Sequence, residues 1–361
     1  MYGLVRPLLF ALSPQTAHAV GMAGLGVLEH VAPLRWLTRG LFFPTDPRLR
    51  REVMGLTFPS PIGLAGGFDK NAARARALGC VGFGHVELGT VTAHGQEPNP
   101  PPNMFRLPAD RALVNRLGFP NEGAERVVAR IEARGGARAI GVPVGVSIGK
   151  SRIVPVDPIA GVVEDYLTSF RAARRVADFV VVNVSSPNTK DLRAIQGAEL
   201  ARTLLGAIMK ENGDTKAGAR AVPVLVKIAP DLANDDVDQV CDVAKEVGLA
   251  GVVATNTTIA RTGLATPAAA VEAIGAGGLS GPPLRARSLE VVTRVRARLG
   301  KGPCVIGVGG VETGADAGAL LDAGADLVQL YTGFIYRGPL AAWSIGRELL
   351  AGKGEKKSRG L

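Results

Sequence analysis

The stretch FVVVNVSSPN, residues 179–188, decides the fold because it joins a buried strand directly to a polar turn. Its first four residues are apolar without alternation, which is typical of a parallel strand buried on both faces. Asn183, Ser185, Ser186 and Asn188 then follow at once. In a parallel α/β fold such polar groups lie where the strands end, which is where these folds place their chemistry.

The same strand pattern recurs along the chain, and stretches with helical character separate its copies. Runs of this kind lie at residues 62–65, 82–88, 142–148, 179–184, 222–228, 251–255, 304–308 and 327–331. Intervening stretches that suit helices include 121–134, 159–176, 235–247 and 284–299. Eight β/α units predict an α/β fold, a (β/α)8 TIM barrel over residues 46–350, with a doubly wound open sheet as the alternative.

Polar and glycine residues end these strands, and a barrel would bring them to one pocket. They include two lysines and several Asn and Thr residues, but no strand-end His, Cys or carboxylate pair. Cys80, Cys241 and Cys304 lie far apart without a CxxC pair. The sequence therefore disfavours a zinc site, a metal-dependent hydrolase, a cysteine nucleophile and a carboxylate-pair mechanism.

The asparagines at the strand ends are informative because an amide offers both donors and an acceptor. Asn115, Asn183, Asn188 and Asn256 together would match a flat ring that carries C=O and N–H groups. The glycine-rich ends of the seventh and eighth strands are where such barrels commonly bind phosphate. A connection of about 30 residues between Thr90 and Pro120 is expected to be a functional loop.

The first 45 residues differ in character from the barrel region and form a predicted helical extension. Ser13 and Pro14 suit a helix start, which predicts one helix over 14–30 and a second over 34–41. These apolar helices would either lie on a membrane surface or pack on the barrel. Neither a signal peptide nor a transmembrane helix is predicted. Residues 351–361 are predicted to be a basic, disordered tail.

The formal net charge is +10, from 42 Lys and Arg against 32 Asp and Glu. This charge is spread along predicted helix faces rather than concentrated in one patch, so we interpret it as solvated surface and expect no nucleic-acid partner.

Nine segments resemble the dihydroorotate dehydrogenase family and follow the family's order over residues 50–345. They are LAGGFDKN, ELGTVT, NRLGF, VNVSSPNT, VKIAPDL, ATNTT, GGLSG, IGVGG and LVQLYTGF. Ser186 and the N-terminal extension resemble the membrane-associated, quinone-reducing class, whereas the cytosolic classes carry Cys at that position and lack the extension.

The resemblance implies oxidation of dihydroorotate to orotate in pyrimidine (UMP) biosynthesis, with FMN as prosthetic group and a membrane quinone as acceptor. Ser186 would be the base that removes the C5 proton while hydride leaves C6, and Thr189 and Phe119 would shape a water path to it. The protein would be a monomer bound peripherally to the cytoplasmic face of the cell membrane.

Residue roles follow from the same resemblance. Substrate would contact Lys70, Asn115, Arg116, Leu117, Gly118, Phe119, Asn183, Asn188, Asn256 and Thr257. FMN would contact Gly66, Gly67, Phe68, Asp69, Lys70, Thr90, Ser147, Asn183, Lys227, Thr255, Gly281, Gly310, Tyr331 and Thr332. A quinone tunnel would be lined by His18, Arg106 and Tyr331, and no metal is expected. Ser147 departs from the family, which typically has Asn there.

Two other classes of protein remain as alternatives. One is a flavin-dependent tRNA dihydrouridine synthase on the same barrel, motivated by the net charge of +10. The other is a non-catalytic membrane-surface protein anchored by residues 1–45. The first needs a catalytic Cys, and no cysteine ends a predicted strand; the second leaves the polar strand ends without a purpose.

Overall fold

The computed structural model describes residues 2–189, 192–215 and 219–358. The strands are β1 Arg51–Val53, β2 Leu56–Phe58, β3 Ile62–Leu64, β4 His85–Val91, β5 Met104–Leu107, β6 Ala112–Asn115, β7 Val144–Ile148, β8 Phe179–Asn183, β9 Val224–Ile228, β10 Gly251–Ala254, β11 Gly278–Ser280, β12 Cys304–Val308 and β13 Leu327–Leu330. The helices are α1 Tyr2–Ala11, α2 Pro14–His30, α3 Ala32–Phe42, α4 Ala75–Leu78, α5 Ala124–Ala133, α6 Ile159–Ala173, α7 Ala198–Gly213, α8 Asn234–Glu246, α9 Ala268–Ile274, α10 Arg285–Leu299, α11 Gly314–Asp322, α12 Thr332–Arg337 and α13 Ala341–Ser358.

Eight parallel strands close into a barrel in the order β3-β4-β7-β8-β9-β10-β12-β13, and β13 pairs back with β3. Every residue of β8, β9 and β12 is buried, as expected for strands covered on both faces. The predicted (β/α)8 barrel is confirmed, and the open-sheet alternative is wrong because the sheet has no free edge.

The second barrel strand begins later than predicted, at His85 rather than Gly82. Gly82 has a φ of 96°, which a residue with a side chain rarely adopts. A Cβ on Gly84 would lie 2.0 Å from the carbonyl oxygen of Ser60. Gly82 and Gly84 therefore belong to the closely packed turn that leads into the strand, and they are not its first residues.

The long connection after β4 has secondary structure of its own. Strands β5 and β6 form an antiparallel hairpin, and β11 pairs with β6 to complete a three-stranded sheet. A small apolar core of Leu107, Ala112, Val114 and Leu279 holds this sheet together. The sheet stands above the carboxyl ends of the barrel strands and carries Arg106 and Asn115 toward them.

Three helices, α1, α2 and α3, precede the barrel, and we call them the hood. Helix α2 occupies the predicted range, and the Ser13 hydroxyl accepts a hydrogen bond from the Thr16 N–H at 3.1 Å. Helix α3 is slightly longer than predicted. Helix α1 was not predicted; it packs on the barrel, where the Tyr2 hydroxyl donates to the Ile335 carbonyl at 2.7 Å.

A buried carboxylate anchors the hood to the barrel. Glu29, at the end of α2, has no exposed surface and forms ion pairs with Arg76 at 2.8 Å and Arg134 at 3.2 Å. Its second oxygen accepts the Ala77 N–H at 3.0 Å. The carboxylate thus joins α2 to α4 and to the end of α5, which stabilises the docked position of the hood.

Among the described residues, no helix combines the length and apolar character needed to cross a bilayer. The last helix, α13, continues to Ser358, beyond the predicted start of the basic tail at residue 351. Residues 359–361 of that tail lie outside the described residues.

Replacing Glu29 by Ala should lower the free energy of unfolding by about 3–5 kcal/mol, because it leaves two arginines without their buried partner. Urea denaturation followed by circular dichroism measures the change. Glu199→Ala, at an exposed position of α7, is the control and should change stability by less than about 0.5 kcal/mol. Equal stabilities for the two variants would contradict the anchoring role of Glu29.

Candidate functional site

A cavity of about 780 Å³ lies between the carboxyl ends of the barrel strands and the hood. The predicted residues on its wall are His18, Gly66, Gly67, Phe68, Lys70, Thr90, Arg106, Asn115, Leu117, Gly118, Phe119, Asn183, Ser186, Asn188, Lys227, Thr255, Asn256, Thr257, Gly281, Gly310, Tyr331 and Thr332. The floor, formed by strand ends, is polar. The roof, formed by the hood and α12, is mainly apolar and includes Leu9, Phe10, Leu25, Leu28 and Phe334.

Ser186 lies on the floor, just after β8, and is 4% exposed. Its hydroxyl oxygen accepts a hydrogen bond from the Asn188 N–H at 3.2 Å. This bond spans two residues, so Ser186, Pro187 and Asn188 form a local turn closed by the serine side chain. The serine oxygen is therefore held on the cavity wall by a donor that also stabilises negative charge on it.

Asparagines and hydroxyls from four strand ends form a connected network beside Ser186. The Asn183 amide donates to Thr90 at 3.1 Å and accepts from the Ser185 hydroxyl at 3.0 Å. The Asn256 amide donates to the same Ser185 hydroxyl at 2.9 Å. Farther up the wall, Asn188 donates to Asn115 of the hairpin at 3.2 Å. These bonds fix the directions in which the remaining amide groups face the cavity.

Lys227 ends in the barrel interior beside a carboxylate that sequence reasoning missed. Its ammonium lies 3.4 Å from Glu87, whose other oxygen accepts the Gln329 amide at 2.9 Å. Glu87 has no exposed surface, and Lys227 is 4% exposed. The signal was present, because a charged residue between Val86 and Leu88 interrupts an otherwise apolar strand.

Two basic side chains meet where the floor joins the roof. Lys70 donates to the Gly67 carbonyl at 2.5 Å, and burial lowers its pKa to about 8 although the Asp69 carboxylate opposes the shift. Burial, followed by repulsion from Lys70, lowers the pKa of His18 to about 4. At neutral pH His18 is therefore neutral, and Lys70 is the cationic member of the pair.

Arg106 joins the hairpin to the hood. Its guanidinium donates to the carbonyls of Leu9, at 3.2 Å, and of Leu12, just after α1, and it lies over the Phe10 ring at 4.7 Å. Tyr331 closes the opposite side, where its hydroxyl is 3.5 Å from the Gly67 carbonyl. Burial raises the pKa of Tyr331 to about 12, so it stays protonated.

Four predicted site residues do not reach the cavity wall: Asp69, Arg116, Ser147 and Thr189. Asp69 instead accepts the N–H groups of Ala73 and Arg74 at 2.9 and 2.7 Å, which fixes the turn before α4.

The other three lie behind or beside the wall. Arg116 turns away and donates to the carbonyls of Ile274 and Ala276, which holds the hairpin against α9. The Ser147 hydroxyl lies behind Thr90, with 2.9 Å between their oxygens. Thr189 is 8% exposed and lies beside the segment that carries Ser186.

The three cysteines are buried and free, and none lies on the cavity wall. In the part of the chain that the structure describes, no group of three His, Cys, Asp or Glu residues could hold a metal ion.

The closed parallel barrel with a roofed polar pocket at its strand ends is the arrangement of (β/α)8-barrel enzymes. The family model "Dihydroorotate dehydrogenase" matches residues 48–352. The chain belongs to the dihydroorotate dehydrogenase family. The resemblance found in the sequence is thereby confirmed, and the two alternative classes are set aside.

Relatives and solved structures agree with this assignment. A protein of Rhodococcus erythropolis named dihydroorotate dehydrogenase (quinone) is 50% identical over 96% of this chain and 93% of its own length. A protein of the same name from Thermobifida fusca is 51% identical, over 96% of this chain and 91% of its own. The ligand-free structure of the Eimeria tenella enzyme superposes with a TM-score of 0.83 at 35% identity, covering 95% of this chain and 96% of that one.

Replacing Glu87 by Ala should destabilise the protein by about 3–5 kcal/mol, because the Lys227 ammonium then lies in the barrel without its partner. Removing both charges, with Glu87→Leu and Lys227→Met together, should restore most of that loss. Urea unfolding of the two variants and the parent measures both effects. A double variant no more stable than Glu87→Ala would show that the two groups are not energetically coupled.

Proposed function

We propose that this protein oxidises dihydroorotate to orotate with FMN as prosthetic group and passes the electrons to a membrane quinone. One observation carries the proposal: a single cavity joins a polar floor, suited to a charged heterocycle, to an apolar roof made by the hood. The relatives named dihydroorotate dehydrogenase (quinone) support it.

The cavity wall fits a flavin phosphate ester. At its floor, Gly67 has a φ of 102°, which a residue with a side chain rarely adopts, so its backbone lies directly on the cavity wall. Gly281 and Gly310, with φ of 108° and 73°, have no room for a side chain, since a Cβ would lie 2.9 Å from the Arg111 carbonyl oxygen and 2.6 Å from the Arg285 Cβ. Both lie on the cavity wall, as do Ser280 and Thr332, whose hydroxyls are 2.8 Å apart. FMN would supply the acceptor for hydride.

The residues that would hold FMN are those of the wall from the predicted set: Gly66, Gly67, Phe68, Lys70, Thr90, Asn183, Lys227, Thr255, Gly281, Gly310, Tyr331 and Thr332. Lys227 would place a positive charge beside the polar edge of the flavin ring. The Glu87 carboxylate, 3.4 Å from the Lys227 ammonium, would partly offset that charge. Ser147 would act through Thr90 rather than by direct contact, because its hydroxyl lies behind that residue.

The substrate is an anionic ring with amide edges, and the wall offers complementary groups. Asn115, Asn183, Asn188 and Asn256 would pair with its C=O and N–H groups, with Thr257 beside them. Leu117 and Gly118 would border the ring, and Lys70 would attract the carboxylate. Arg116 would not contact the substrate, since its guanidinium faces away from the cavity and bonds to the Ile274 carbonyl.

Ser186 would accept the C5 proton as its own hydroxyl proton leaves. The Asn188 N–H stabilises charge on the oxygen during that exchange, and burial keeps bulk water from competing. Phe119, which lies on the cavity wall, and Thr189, which lies beside the Ser186 segment, would shape the path by which the proton reaches solvent.

Ser186→Ala should reduce the rate of dihydroorotate oxidation by about 100-fold or more at neutral pH, because the proton acceptor is removed. Stopped-flow absorbance of the flavin measures the rate, and the unchanged flavin spectrum shows that the site is intact. Thr203→Ala, at an exposed hydroxyl on α7, is the control and should behave as the parent. A Ser186→Ala protein with the parental rate would refute the base assignment.

The affinity for orotate should fall as pH rises through about 8, since Lys70 loses its charge above that pH. Between pH 7 and pH 9.5 we expect a weakening of about tenfold, measured by calorimetry. Lys70→Met should bind orotate more weakly at pH 7 and show little pH dependence in this range, whereas Lys245→Met, exposed on α8, should match the parent. A parental affinity independent of pH would contradict the role of Lys70.

The hood would bind the membrane surface from the cytoplasmic side, as a monomer, and place the roof of the cavity next to the quinone pool. Large apolar side chains on its outer face are strongly exposed, among them Leu4 at 82%, Leu8 at 72% and Trp36 at 80%. His18, Arg106 and Tyr331 line the cavity on the way from this surface to the floor.

Trp36→Gln should weaken binding to phospholipid vesicles by about tenfold to 100-fold, because burial of a large apolar side chain contributes about 1.5–3 kcal/mol. Co-sedimentation with vesicles of mixed zwitterionic and anionic lipids measures the partition. Ile153→Gln is the matched control, since Ile153 is 73% exposed but lies outside the hood. Equal losses from both variants would argue against a membrane-facing hood.

A further inference from the structure

Arg193 forms hydrogen bonds to residues that follow three different barrel strands, although it lies outside the cavity wall. It belongs to a short 3-10 helix, Leu192–Gln196, that follows the segment carrying Ser186. Its guanidinium donates to the Ser185 carbonyl at 3.1 Å, to the Asp231 carboxylate at 2.7 Å and to the Thr257 carbonyl at 3.1 Å. These acceptors follow β8, β9 and β10 respectively.

Asp231 also bonds directly to the segment that follows β10. One of its oxygens accepts the Ile259 N–H at 3.2 Å, and the other accepts the Thr258 hydroxyl. The side chains of Arg193 and Asp231 are 22% and 19% exposed, so the ion pair is largely shielded from solvent. Arg193 and Asp231 thus hold the backbone on both sides of the site floor.

The residues that Arg193 holds adjoin the groups that would do the chemistry. Ser185 precedes Ser186, and its hydroxyl is bonded to Asn183 and Asn256. Thr257 follows Asn256 and lines the cavity. A shift of either backbone would change the distance between the serine oxygen and the asparagine amides.

We propose that Arg193 is a positioning residue that keeps the Ser186 segment in register with the Asn256–Thr257 segment, with Asp231 as its anchor. This inference rests on the proposed function for its effect on rate, but not for its effect on structure. The planar guanidinium makes the three contacts with separate N–H groups in fixed directions. A lysine ammonium is a compact point charge and cannot reproduce that geometry.

The test compares Arg193→Met and Arg193→Lys with a control, Arg202→Met. Arg202 lies on the neighbouring helix α7 and pairs with Glu246 at 2.8 Å, with about half of each side chain exposed. Hydrogen exchange of backbone amides, read by mass spectrometry on the full-length holoenzyme, reports whether peptides containing residues 184–189 and 256–259 are held. Stopped-flow reduction by dihydroorotate reports the limiting rate, and a substrate titration separates it from affinity.

We expect faster exchange in both peptides for Arg193→Met, with exchange elsewhere in the barrel unchanged. The limiting rate should fall about tenfold to 100-fold, since small misplacements of reacting groups have effects of that size. Arg193→Lys should recover part of the exchange protection but little of the rate, and Arg202→Met should match the parent in both.

Parental exchange in both peptides of Arg193→Met would overturn the proposal, as would faster exchange with a parental limiting rate. A parent protein that fails to oxidise dihydroorotate would instead refute the proposed function. In that case the exchange comparison alone still decides whether Arg193 holds the two segments.

Discussion

The parallel hydrogen bonds between β13 and β3 close the barrel, and the placement of the site residues depends on this closure. Once the sheet has no edge, the carboxyl ends of eight strands lie on one ring and their side chains converge. Asn183 from β8 then reaches Thr90 at the end of β4, and Lys227 from β9 reaches Glu87 across the interior. These pairs lie 93 and 140 residues apart in sequence and meet because the ring is closed.

The barrel and the floor of the cavity could be predicted because their signals are local. An apolar run followed by a polar turn identifies each strand and places the polar residues after it at the same end of the barrel. Ser186 and Asn183 are examples, since both stand at the end of β8. The start of α2 at Ser13 and Pro14 is local in the same sense, because a capping hydroxyl and a fixed φ act within one turn.

What the sequence did not predict depends on contacts between distant segments. Helix α1 is stabilised by Ile335 and Arg106, which come more than 90 residues later. The direction of Arg116 was also missed, because it bonds to the Ile274 carbonyl, which only the folded chain brings near. Asp69 was missed for a different reason, since it bonds to the N–H groups of Ala73 and Arg74 in its own turn. Sequence position placed these side chains at the rim of the site, but it could not determine which way they point.

The Glu29 anchor has a consequence for biosynthesis. During synthesis the hood emerges from the ribosome before the barrel does. The two partners of Glu29, Arg76 and Arg134, come 47 and 105 residues later in the chain. During that interval the carboxylate has no partner to offset its burial, so α2 cannot dock and its apolar surface stays open to solvent or to chaperones. The hood helices, although they are synthesised first, therefore dock only after the first part of the barrel has been made.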